Sequence, residues 1–147
     1  MRLFSISLLT GLLFLAAGGW GTDLEDAKKQ AEKESKLILL NFSGSDWCGP
    51  CIKMRDEIFE NKAFKEYADQ KLVLVNADFP RLHKNQLSKE QQKKNDKLAD
   101  KYDPQGIFPM TILMDAKGNT LKSWEGYIPV KAEQFVDEIK KIVDEHR

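Results

Sequence analysis

Cys48, Gly49, Pro50 and Cys51 place two thiols three residues apart, a spacing that on one turn of helix brings their sulfurs within disulfide reach. The pair follows an apolar run, Leu37 to Phe42, and the loop Ser43-Gly44-Ser45-Asp46. The motif is therefore expected to open a helix, with Cys48 near its N-terminus. Unpaired backbone N–H groups and the helix dipole stabilise negative charge at that position, lowering a thiol below its usual pKa of about 8.5. Cys48 is then the nucleophilic thiolate, and Cys51, lying deeper on the same helix face, attacks the mixed disulfide formed at Cys48. Pro50 lacks only an N–H that a first turn leaves unsatisfied, and it stiffens the loop between the sulfurs. Gly49 leaves the approach to sulfur open.

Two thiolates at this spacing also serve as half of a zinc site. The other half is missing: His83 and His146 are the only histidines, and neither has ligand spacing relative to the cysteines. A soft ion such as Cu(I) needs fewer ligands, but no Met or His stands beside the motif apart from Met54. A small exported domain that used disulfides as staples would join residues distant in sequence. Redox chemistry is the reading that remains, with no cofactor and no metal expected.

The 147 residues carry 23 basic and 23 acidic side chains, so no strong field attracts nucleic acid or acidic lipid. Arg2 and the apolar run from Leu3 to Ala17 lead into Ala16-Ala17-Gly18-Gly19, the pattern of a cleavable secretory signal peptide. The run is short for a spanning helix and is weakened by Ser5, Ser7 and Thr10. Residues 1–19 are expected to be the signal peptide and residues 20–147 the domain. Removing Arg2 with that segment leaves 22 basic against 23 acidic side chains. The mature protein is expected to be periplasmic or secreted, with no cysteine at the cleavage point to carry a lipid anchor.

The elements that must position the thiols can be read in order. Thr22-Asp23-Leu24-Glu25 has capping-box spacing, and Leu24, Ala27 and Ala31 share one face of a first helix. Leu37 to Phe42 reads as a strand buried on both faces. An interrupted helix follows, broken near Asn61, then a second buried strand from Leu72 to Ala77, parallel to the first through a right-handed crossover. Pro80 to Tyr102 is a polar loop and then a helix capped by Ser88 with Gln91 three residues on. Met110 to Asp115 and Thr120 to Glu125 form a hairpin around Gly118. Ala132, Phe135, Val136, Ile139, Ile142 and Val143 make the stripe of a terminal amphipathic helix. One α/β domain with the order α, β, α, β, α, β, β, α results.

Trp47-Cys48-Gly49-Pro50-Cys51 after a hydrophobic strand, with Gly106-Ile107-Phe108-Pro109-Met110-Thr111 ahead of a later one, resembles the thioredoxin superfamily over essentially the whole mature chain. The resemblance implies a thioredoxin-like fold: a central mixed four-stranded sheet of order 2-1-3-4 flanked by helices. It implies that Pro109 is a cis-proline facing the disulfide, and that the backbone of Phe108 pairs with an extended substrate. Trp47 either shields the sulfurs and shapes the substrate surface or packs in the core. Trp47, Gly49, Pro50, Phe108 and Pro109 are thus the candidate substrate-binding residues around the catalytic Cys48 and Cys51. There are two departures from the pattern. Asn41 stands where thioredoxins keep a buried aspartate, leaving water or Asp46 to take the proton of Cys51, and the Pro80 to Tyr102 connection is long.

The resemblance implies thiol–disulfide exchange on exported proteins. Reduction or isomerisation is preferred, since the Gly-Pro pair resembles that of reducing thioredoxins. The expected partners are protein or peptide thiols and disulfides and a membrane thiol–disulfide electron donor, with the chain acting as a monomer. Reduction of an apocytochrome before haem attachment is one specialised form. The alternative is a binding or chaperone module that uses the groove beside Pro109 and keeps a static disulfide.

Overall fold

Strand β1, Leu37–Ser43, alternates its side chains between two cores. Ile38, Leu40 and Phe42 pack with Leu24, Ala27 and Ala31 on one side, while Leu39 packs with Met54, Ile58, Phe64, Phe135 and Ile139 on the other. That alternation, on a strand covered on both faces, is what an unbroken apolar run produces. The structure is a computed structural model and describes residues 19–146. The expected signal peptide therefore lies outside the described residues, apart from Gly19.

The elements are α1 (Leu24–Glu34), β1, α2 (Gly49–Met54), a π-turn (Arg55–Phe59), α3 (Lys62–Lys71), β2 (Leu72–Asp78), a 3-10 turn (His83–Asn85), α4 (Lys89–Tyr102), β3 (Met110–Met114), β4 (Thr120–Glu125) and α5 (Ala132–Glu145). β1 pairs in parallel with β2, from Leu37 with Leu72 to Ser43 with Asp78, and antiparallel with β3, where Asn41 opposes Thr111. The hairpin adds β4, and the sheet order is β2-β1-β3-β4, as expected. Helices α1 and α4 cover one face, and α2, α3 and α5 the other. Among the described residues no helix is long and apolar enough to cross a membrane.

The interruption of the second helix falls where the sequence puts it. Asn61 accepts from the Ala63 N–H at 2.9 Å and restarts the chain as α3. The first cap shifts by one residue: Asp23, not Thr22, accepts the Asp26 N–H at 3.0 Å. Aspartate caps as well as threonine does, and Asp23 also pairs with Lys94 of α4 at 2.9 Å. Ser88 caps α4 through the Gln91 N–H, as expected. Helix α4 is fastened by Asn95, 1% exposed, whose amide donates to the Asp78 carbonyl oxygen at 2.9 Å. A polar residue had taken the place of an apolar anchor there, and the periodicity of the segment did not disclose it.

Candidate active site

Cys48 is the N-cap of α2 and is joined to Cys51 in a disulfide, with Cα atoms 5.2 Å apart. The backbone N–H of Cys51, one of the donors a helix N-terminus leaves unpaired, points at the Cys48 sulfur at 3.2 Å. That donor sits at the helix N-terminus, the position from which the sequence leads one to expect the nucleophilic thiol. Both cysteines are 5% exposed. The two residues are equally buried in the disulfide form, so the expected difference in depth is not seen there. Gly49 and Pro50 are exposed at the first turn, and a Cβ on Gly49 would meet nothing within 4 Å.

Cys51 and Asn41 line one cleft of about 200 Å³ together with Ser43, Ser45, Asn76 and Arg55. Asn41, 6% exposed, is held in the sheet from both sides: its amide donates to Asn76 Oδ1 at 3.0 Å, and its oxygen accepts from Thr111 Oγ1 at 3.1 Å. A neutral amide at this position hydrogen-bonds but takes no proton. Asp46 does not replace the missing carboxylate. Its oxygens accept from the Arg81 and Leu82 N–H groups at 2.9 and 3.0 Å and from the Asn85 amide at 3.0 Å. These bonds, the Arg81 N–H foremost, hold its carboxyl below the usual range, so it is a weak base. A further carboxylate, Asp78, accepts from the Ser45 N–H and hydroxyl and lies 3.2 Å from Ser43 Oγ, both serines lining the cleft. It is the residue paired with Ser43 across β1 and β2, and only that register reveals it.

Trp47 is half-buried between the loops that follow β1 and β2. Its indole N–H donates to the Phe79 carbonyl oxygen at 2.7 Å, and its ring meets Phe108 edge-on with centroids 5.5 Å apart. Phe79 meets Phe108 in turn at 5.4 Å. Gly44 lies so close beneath the indole that a Cβ there would come within 2.2 Å of Trp47 Cε2. The Arg81 guanidinium stacks on the same ring, 3.6 Å from its centroid. Gly44, Phe79 and Arg81 escaped sequence reading because their roles depend on where the β1 and β2 loops meet.

The Phe108–Pro109 peptide is cis, and Pro109 is buried. Met110 opposes Phe42 in the β1–β3 register, which brings Phe108 and Pro109 to the sheet end that carries the cysteines. Outside strands and helices, no backbone hydrogen bond of Phe108 occurs among the described residues. The preceding loop is shaped by Asp103, 2% exposed, whose Oδ1 accepts from the Ile107 N–H at 2.9 Å. Its other oxygen has no hydrogen-bond partner among the described residues, and burial pushes its carboxyl above the ordinary range. Among the described residues no group of three or more His, Cys, Asp or Glu side chains could hold a metal ion.

Comparison with known proteins agrees with this geometry. A family model described as a thioredoxin-like domain matches residues 24–142. The chain is 37% identical over 115 residues to the disulfide bond reductase DsbH of Chlamydia pneumoniae, spanning 78% of this chain and 67% of that protein. A solved structure of a DsbH oxidoreductase superposes with a TM-score of 0.77 at 32% identity, covering 96% of this chain and 95% of that one. A 60-residue stretch is 35% identical to the thioredoxin-related protein DsbJ of Chlamydia pneumoniae, covering 41% of this chain and 17% of that protein. The chain belongs to the thioredoxin-like family, and with its Cys48–Cys51 pair it is a thiol–disulfide oxidoreductase of that family.

Proposed function

We propose that the protein reduces or isomerises disulfides of exported polypeptides, with residues 1–19 acting as a cleaved signal peptide and residues 20–147 working in the periplasm or outside the cell. The observation that carries this reading is the Cys51 N–H aimed at the Cys48 sulfur at the head of α2. It prepares one of the two thiols for attack. The naming of a 37% identical relative as a disulfide bond reductase supports the reducing direction.

In the forward step the Cys48 thiolate attacks one sulfur of a substrate disulfide. The substrate S–S bond breaks, a mixed disulfide forms at Cys48, and the other substrate sulfur leaves as a thiolate that takes a proton from water. Cys51 then loses its proton into the cleft it shares with Asn41 and attacks the Cys48 sulfur. This releases the second substrate thiol and leaves the Cys48–Cys51 disulfide. Two electrons have passed from the enzyme dithiol to the substrate, and a membrane-bound dithiol donor restores them. Phe108 supplies backbone groups for an extended substrate, Pro109 and Trp47 bound the groove, and Gly49 and Pro50 leave the sulfur approachable. One copy of the chain carries every residue of this site.

The test is the reduction potential of the Cys48–Cys51 disulfide in glutathione buffers. A value near roughly −270 mV supports a reductase, and one near about −120 mV makes the protein an oxidant and removes the preferred direction. Insulin reduction with dithiothreitol separates catalysis from a binding module: turnover that disappears in Cys48→Ser is expected, and no turnover in either form would leave only binding.

A further inference from the structure

The Pro80–Leu87 connection is bound to the active-site loop, and the way it is bound leaves its basic side chains without a carboxylate partner among the described residues. Asp46, two residues before Cys48, takes the backbone N–H groups of Arg81 and Leu82 and the Asn85 amide. The segment is therefore hydrogen-bonded through its main chain and Asn85, and of the Arg81, Leu82, His83 and Lys84 side chains Arg81 alone adds a contact to the active-site loop, by stacking on Trp47. All four of these are exposed, and Leu82, at 48%, is one of only two large hydrophobic side chains among the described residues that are exposed. The Arg81 guanidinium lies over the Trp47 ring, 3.6 Å from its centroid, and pairs with no carboxylate among the described residues. A guanidinium stacked on an indole keeps its N–H edges available for a carboxylate.

Charge decides the occupant. Pro80 to Ser88 contains Arg81, Lys84 and His83 and no acid, in a chain whose acids and bases balance as a whole. Asp46 is committed to the segment's own N–H groups, and Asp78, two residues before Pro80, to Ser43 and Ser45. A neighbouring apolar side chain, Leu82, supplies contact area beside the charge.

We propose that Pro80–Leu87 is a substrate-selecting rim: Arg81, stacked on Trp47 beside Cys48, with the exposed Lys84 on the same segment, favours disulfides flanked by acidic side chains in extended polypeptides. The proposal rests on the reductase reading above and specifies its substrates. Selection acts on docking, so it appears in kcat/KM and in its salt dependence rather than in the rate of the exchange step at saturation.

The experiment uses the reduced full-length protein and three peptides with one internal disulfide, identical except for Glu, Gln or Lys flanking the cysteines. The expected order of second-order reduction rates is Glu, then Gln, then Lys. The Glu-to-Lys ratio should be about 3 to 10 at low ionic strength, the scale of one or two exposed charge pairs, and fall toward one in molar salt. Arg81→Gln should collapse the ratio, whereas Lys117→Gln, at the far hairpin, should keep it. Equal rates for the three peptides, or an order that survives Arg81→Gln, would overturn the rim while leaving the reductase reading intact. Failure to reduce any of the three would sink the reductase reading itself, and the rim with it.

Discussion

Thr111 donates its hydroxyl to the side-chain oxygen of Asn41 at 3.1 Å, across the register pair that joins β1 to β3, and Asn41 and Cys51 open onto the same cleft. The residue that shares this cleft with the resolving thiol is thus a fixed neutral amide. Proton release from Cys51 has no titrating partner at that position, and the exchange rate should follow the thiols alone.

Asn41→Asp puts a carboxyl in that slot, where the Thr111 hydroxyl can still donate to it. Its burial raises the pKa of the new group, and the pH profile of disulfide exchange should gain a further inflection below the thiol one. The measurement is the exchange rate from about pH 5 to 9, with thermal stability recorded beside it. A profile identical to wild type would remove Asn41 from the mechanism and leave it a strand hydrogen-bonding residue.

Gly44→Ala tests the seat of Trp47. The added Cβ would lie 2.2 Å from the indole, so the ring must move and its 2.7 Å bond to the Phe79 carbonyl oxygen must lengthen or break. A loss of about 1 to 3 kcal/mol in unfolding free energy is expected for overpacking of this kind, with a change in tryptophan fluorescence. Unchanged stability and spectrum would mean that the loop yields freely and that Gly44 does not set the ring's position.

Much of this was legible in the chain. Leu37 to Phe42 announced a strand covered on both sides, and the Ala132 to Val143 stripe announced the terminal helix, because apolar periodicity reports burial directly. Cys48, Cys51 and Pro109 were legible through two motifs whose order along the chain matches the sheet. Asp78, Phe79, Arg81 and Asn95 were not, since each acts on a residue 17 to 35 positions away, through a register or a loop contact with no local pattern, and Gly44 was not, since its contact with Trp47 three residues on depends on how the loop folds back. The shift of the first cap from Thr22 to Asp23 has a different origin: both residues can cap, and Lys94, far along the chain, selects Asp23.

Asp46→Ala should free the Pro80–Leu87 segment without dismantling the fold. The variant removes the acceptor of three donors, so amide hydrogen exchange at Arg81 and Leu82 should rise by on the order of tenfold while core amides keep their protection. In the wild type the same contacts depend on pH. The Asp46 carboxyl titrates below its ordinary 3.8 in the fold, so its contribution is complete above that value and is lost as pH falls through the lower folded pKa. Exchange at Arg81 that is indifferent to the substitution would show that the segment is held by other means.

Asp103→Asn keeps an acceptor for the Ile107 N–H and removes a buried charge. The folded-state carboxyl titrates above 3.8, chiefly because it is buried. The native state therefore favours its protonated form: the charge costs no stability below 3.8, and the full cost is reached once pH passes the raised folded value. Whatever constant offset the amide introduces, the variant should gain on wild type as pH rises from about 4 to 7. Melting temperatures at the two ends of that range check the sign, and a gap that is constant or moves the other way would mean that Asp103 titrates normally.

The assignment of Cys48 as nucleophile rests on direction rather than depth, since both cysteines are 5% exposed and only Cys48 receives the first-turn N–H. This makes the two serine variants unequal. With Cys51→Ser, Cys48 can attack a substrate disulfide but nothing resolves the product, so a mixed disulfide should accumulate, visible as an adduct of substrate mass on the intact protein. With Cys48→Ser, the remaining thiol lacks that donor and should form the adduct at least about tenfold more slowly at neutral pH, where thiolate fraction sets the rate. Adducts forming equally fast on both variants would reverse or dissolve the assignment, and the helix N-terminus would then no longer account for the chemistry.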